Sequence, residues 1–135
     1  MGKIRIYDTE GVEQSFDSKL IVKATQTTLA TASETVTVAE LLTRVLDCTP
    51  TSGAATYTLP TAALLVNAMP DVAVGDSFLF YVNNKQGITH AATIAAGAGG
   101  TADGTLAIAT DVIRMFLIII TDITTAAYFV YGLGA

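Results

Sequence analysis

Residues 49–82 read TPTSGAATYTLPTAALLVNAMPDVAVGDSFLFYV, and the fold turns on how this stretch is divided. Proline marks the divisions. Thr49-Pro50 stops what precedes it, residues 51–53 read as a turn, and residues 54–59 read as a strand. Pro60 stands before the run TAALLVNAM and Pro70 after it. Proline disfavours helix at the preceding residue and is tolerated at a helix start, so the run is bracketed as a short helix. Gly75-Asp76 is a turn signal. Residues 77–82 then alternate, with Phe78, Phe80 and Val82 on one face and Leu79 and Tyr81 on the other. That is the period of a strand.

Toward the C-terminus the reading is nearly all β. Asn83 to Gly87 is a polar stretch read as a hairpin loop, and residues 88–95 return with Ile88, His90, Ala92 and Ile94 sharing a face. Residues 97–104 read as a flexible Gly- and Ala-rich loop. Residues 105–109, 111–121 and 127–131 read as three further strands. Closely spaced strands with turn signals point to a small β-sandwich or barrel. Residues 112–120 stand apart. Val112, Phe116, Ile118 and Ile120 lie on one face beside Arg114, and Ile113, Met115, Leu117 and Ile119 on the other. A strand with one wet face alternates, so this one must be covered twice. The expected second cover is a neighbouring subunit around a symmetry axis. Phe116, Ile118 and Ile120, or the face opposite them, are the expected oligomer interface.

Toward the N-terminus, Thr37 and Glu40 have capping-box spacing, and residues 39–45 read as a short helix followed by a strand at 46–48. Residues 1–33 are a different material, richer in charge, and read as an arm ahead of a β-rich body at 34–135. KIRIY alternates like a strand. A hairpin packed on its own domain is one reading. The favoured one is an extended arm that adds a strand to a neighbour, which supplies main-chain hydrogen bonds without a private core. Ile4, Ile6, Tyr7, Leu20 and Val22 would make that contact.

Composition narrows the function. The chain has 135 residues, enough for one domain, and only 14% of them are charged. Soluble domains carry about 25%. Apolar surface therefore needs an outlet. The longest apolar run, residues 115–120, is far short of the roughly 20 residues of a spanning helix, and the first residues lack the apolar core of a leader and the myristoylation pattern. Subunit interfaces are the better outlet. The net charge of -5 and seven scattered Lys and Arg argue against nucleic-acid binding.

Catalytic patterns are missing. His90 and Cys48 stand alone, which is too little for zinc. A lone His on an apolar face reads as a hydrogen-bonded core residue, and Cys48 as a small buried hydrophobe. Gly97-Ala98-Gly99-Gly100 has no following Lys-Ser or Lys-Thr and no helix to hold a phosphate. Asp71, Asp76, Asp103 and Asp122 lack EF-hand spacing and suit turns. No enzyme activity, cofactor or metal is expected.

Residues 49–65 and 74–81 also resemble a module that recurs in virion proteins of tailed phages and large DNA viruses, where a segment like TPTGAATYTLPTA-LL precedes a VGDSF-F strand. The resemblance runs from about Thr35 onward. Residues 94–99 roughly match its AAGTGV-type loop, and AAYFVYGL at 126–133 departs from its AVTVYRL ending by lacking the Arg. It implies a structural role in the particle with no catalytic residues to carry over. The combined expectation is a capsid decoration, or cement, protein on the outer surface of the virion. It would sit as a homotrimer at junctions of the major capsid protein, without touching membrane or genome. The rivals are a head or tail fibre component, which a short chain without repeats disfavours, and a carbohydrate-binding adhesion module, which would need exposed aromatics at loop tips.

Overall fold

A computed structural model of the chain describes residues 23–87 and 89–134, together with the backbone of two short strands nearer the N-terminus. Those two, β1 (Ile4–Tyr7) and β2 (Glu13–Phe16), pair antiparallel with Ile4 opposite Phe16 and Ile6 opposite Gln14. Ten strands and two helices follow. They are β3 (Thr25–Thr28), β4 (Glu34–Thr35), α1 (Val38–Leu41), β5 (Arg44–Cys48), β6 (Ala55–Thr58), α2 (Ala62–Ala68), β7 (Ser77–Asn84), β8 (Ala92–Ala95), β9 (Gly100–Gly104), β10 (Ala107–Ile108), β11 (Val112–Asp122) and β12 (Ala127–Gly132). The mainly β fold with two short helices is the one the sequence pattern points to.

The strands of the body form two mixed sheets. One has six strands in the order β3-β5-β7-β11-β12-β9, the other four in the order β10-β8-β6-β4. In the larger sheet β3, β5 and β7 run parallel, β11 is antiparallel to both β7 and β12, and β9 returns parallel to β12. Each sheet turns one face to a shared core. Leu46, Cys48, Phe80, Val82, Phe116, Ile118, Ile120, Tyr128 and Val130 enter it from the six-stranded sheet, and Tyr57, Ala92, Ile94 and Ile108 from the four-stranded one. Phe80 and Phe116, opposite one another on neighbouring strands, stack at 5.2 Å. Leu41 of α1 and Ala62 and Leu65 of α2 complete the core.

The helices follow their caps. Thr37 accepts from the Glu40 amide at 3.2 Å while the Glu40 carboxylate accepts from the Thr37 amide at 2.8 Å, so the capping box closes. Its helix is one turn long, not the run over residues 39–45 that the pattern predicts. Arg44 adopts φ 73° and turns the chain straight into β5. Glycine is the usual occupant of this left-handed conformation, so Arg44 is an exception. α2 starts at the Thr61 cap, whose hydroxyl accepts from the Leu64 amide, and stops at Met69 before Pro70.

Three expectations about organisation are corrected. The body begins earlier than residue 34, because the Thr-rich β3 joins the six-stranded sheet and Leu29 is buried in the core. The stretch Asn83 to Gly87 is not a hairpin loop. β7 and β8 lie in different sheets, and the polar loop carries the chain between them. Asn84 makes that crossing possible. Fully buried, it donates to the carbonyls of His90 (3.0 Å) and Ile108 (3.1 Å) and accepts from the Gln86 amide. Finally, part of the predicted flexible loop is strand β9. Its first residue is a steric requirement: a Cβ on Gly100 would run into the Tyr128 ring. The Tyr128 hydroxyl accepts from the Gly97 amide at 2.9 Å and donates to the Pro60 carbonyl at 3.0 Å, locking the turn ahead of β9 to the start of α2.

Candidate interaction surface

The six-stranded sheet has a second face, built by the alternate positions of its central strands. β11 sends Phe116, Ile118 and Ile120 inward, so Ile113, Met115, Leu117 and Ile119 point out. The pairing registers place the neighbours. Val45, Tyr81 and Met115 form one row, and Leu79, Leu117 and Tyr131 the next. Ser77, Ile119 and Phe129 form a third. Phe129 and Tyr131 stack at 5.7 Å along β12, which fixes both rings on this side.

This outer face is apolar and open. Ile113 keeps 64% of its surface exposed, Tyr81 39% and Leu79 36%. Met115, Leu117, Ile119, Phe129 and Tyr131 are half-buried among one another. Within the described residues the main neighbours of β11 are β7, β12 and, through the core, β10. The expectation that Phe116, Ile118 and Ile120 meet a partner is therefore corrected. They fill the chain's own core, and the available face of the strand is the opposite one. A depression of about 370 Å³ opens beside Ile113 and Met115, with Leu133 as a wall.

Charge stays at the borders. Asp47, in the row with Asn83 and Ile113, is buried, pairs with Lys85 and accepts from the Asn83 amide group at 3.2 Å. Asp103 sits on the edge strand β9 beside Tyr131. The Arg114 guanidinium lies on the inner side of β11 and donates to the Leu133 carbonyl at 3.2 Å.

The expected shell contacts are only partly placed. Ile4, Ile6 and Tyr7 lie on the backbone of β1, and Leu20 and Val22 lie outside the described residues.

The remaining polar features are structural in character. At one end of the sandwich a cavity of about 380 Å³ is lined by Leu42, Arg44, Met69, Val72, Asp76 and Phe78. Asp76 accepts from the Ala73 amide at 2.9 Å and so holds the turn into β7. Cys48 is fully buried, and desolvation outweighs its hydrogen bond with Tyr57, pushing the thiol up to about 11. It stays protonated at neutral pH and is a poor nucleophile. Burial also raises Tyr57, with Cys48 adding to it, and raises Tyr128 against the opposing Gly97 amide. Asp122 is lowered by the Thr125 hydroxyl first and then by the amides of Thr125 and Thr124, the pattern of a capped turn between β11 and β12. His90 is half-buried in the loop ahead of β8 instead of on a strand face. Among the described residues no three His, Cys, Asp or Glu side chains gather to hold a metal, and no helix is long and apolar enough to cross a membrane.

The signal for the outer face is present in the alternation of residues 77–82 and 112–120. Which side would be left open is not, because both sides are equally apolar. Compared with known protein families, curated proteins and solved structures, the chain matches none.

Proposed function

We propose that this chain is a capsid decoration protein. It binds the outer surface of a virion shell, as a homotrimer, at junctions between major capsid protein subunits, and stabilises the shell there. The observation that carries the reading is a small β body with a filled core whose larger sheet leaves the outward positions of β7, β11 and β12 largely apolar and uncharged. Such a body is built for burial against protein. The resemblance of residues 49–65 and 74–81 to virion modules supplies the setting. Net charge -5 keeps the protein off a packaged genome. In this reading the charged N-terminal residues, with Ile4, Ile6, Tyr7, Leu20 and Val22, make the shell contact by strand addition and apolar burial.

Two measurements test it. Full-length protein should co-sediment with empty shells, and a variant lacking residues 2–22 should stay folded and lose that binding. Undiminished binding by the shortened chain removes the arm from the mechanism. Copy number per particle separates the rivals. Hundreds of copies fit a decoration protein, whereas a dozen or fewer fit a fibre or tail part and refute the proposal.

A further inference from the structure

The outer face of the six-stranded sheet can be assigned an occupant. We infer that it is a self-association surface on which a second copy of this chain packs, sheet against sheet. The inference rests on the homo-oligomeric part of the reading above and names the surface that part would use.

Charge decides between a second copy and a foreign partner. The outward positions of the three central strands, Ser77 to Asn83, Ile113 to Thr121 and Ala127 to Tyr131, contain no Asp, Glu, Lys, Arg or His. Two molecules that each carry net charge -5 repel wherever their acidic surfaces meet. On this face they can close without setting like charges opposite one another, a contact that costs several kcal/mol. Discrimination between foreign partners uses placed charges and hydrogen-bonding groups. Here the large side chains offer only the hydroxyls of Tyr81 and Tyr131. The polar groups, Asp103 and the Asp47–Lys85 pair, stand at the borders, as the rim of a subunit contact does.

Geometry agrees with charge. Sheets pack face to face about 10 Å apart when both present apolar side chains. The inner face of this same sheet already packs in that way against the four-stranded sheet. Ile113, Leu79 and Tyr81, each more than a third exposed, would lose the most water on contact.

The test uses the full chain in sedimentation equilibrium and light scattering. The expected result is a closed oligomer whose size does not grow with concentration. A double variant, Ile113→Lys with Leu117→Lys, should keep the circular dichroism of the parent and dissociate, with association weakened about 100-fold or more. If that variant does not fold, Leu79→Ser decides. Association about tenfold weaker supports the inference, and unchanged association overturns it. A parent chain that is monomeric, or one that aggregates without limit, also overturns it. So does a monomer whose Met115→Cys thiol becomes unreactive only when empty shells are added, which would give the face to the shell protein. A thiol unreactive in the lone monomer would give the face to the chain's own N-terminal residues and would overturn the inference equally. The two proposals fail separately. An oligomer that ignores shells removes the decoration role and leaves this surface standing, and a monomer that binds shells does the reverse.

Discussion

The two faces of β11 are made of nearly the same material and meet different fates. Phe116, Ile118 and Ile120 face the four-stranded sheet and are sealed; Ile113, Met115, Leu117 and Ile119 face out, and Ile113 is largely exposed. What separates them is the other sheet. A chain of this size has one core, and the strands left over from the larger sheet supply only one set of residues to cover it. The apolar character of the outer side is thus not explained by the packing of the described residues. It costs solubility in a lone molecule and returns that free energy only on association.

The widest gap between the faces should appear on truncation. Phe116→Ala removes a stacked ring from a packed core and should cost about 3–5 kcal/mol. In the monomeric background of the double-lysine variant, Tyr81→Ala on the outer face should cost only about 1–2 kcal/mol, since that ring is partly in water already. Denaturant midpoints for the pair would measure the difference, and equal losses would mean that the outer face is packed after all.

The polar clamp comes next. Asn84→Ala leaves the buried Ile108 carbonyl and the partly buried His90 carbonyl without the donor they share, and about 2–3 kcal/mol should be lost. Hydrogen exchange should rise first around β10 and the loop ahead of β8, where the clamp acts. A smaller effect is expected at the helix start. Thr37→Ala opens the capping box and should cost about 1 kcal/mol, read as a modest fall in melting temperature.

The pH dependence of Cys48 probes the inner face without changing its shape. Its thiol is raised from 9.0 to about 11 in the folded chain, chiefly by desolvation. The unfolded chain therefore releases its proton first. The thiol's contribution is complete below about pH 9, and it falls as pH rises from there through about 11. Stability measured across that window should fall less in Cys48→Ala than in the parent, and identical curves would show that the thiol is not shielded. At the bottom of the scale stands serine in place of the lysine introduced at position 113, which should leave the stability of the monomeric background within about 0.5 kcal/mol.

Much of this architecture is legible in the chain. Pro60 and Pro70 bracket α2, Thr37 and Glu40 place α1, and the alternation after Gly75 gives β7. These signals are local: a cap, a missing amide or a period needs only neighbouring residues to act. The pattern misleads at places where distant residues decide. β9 reads as a loop because Gly100 answers to the Tyr128 ring and Gly104 to the Gly132 backbone, and not to a local turn. The polar stretch after β7 reads as a hairpin because nothing nearby says that Asn84 will tie two sheets together. Arg44 gives no warning that it takes a left-handed conformation at the entry to β5.

The candidate surface divides in the same way. Sequence alone determined that β11 is apolar on both sides and that the chain has too little charge to leave such a strand in water, because the two-residue period and composition are properties of the chain itself. Only the tertiary structure decided which side is open. The choice depends on where the four-stranded sheet, α1 and α2 come to rest, and those elements are placed by long-range pairing and burial that no stretch of neighbouring residues encodes.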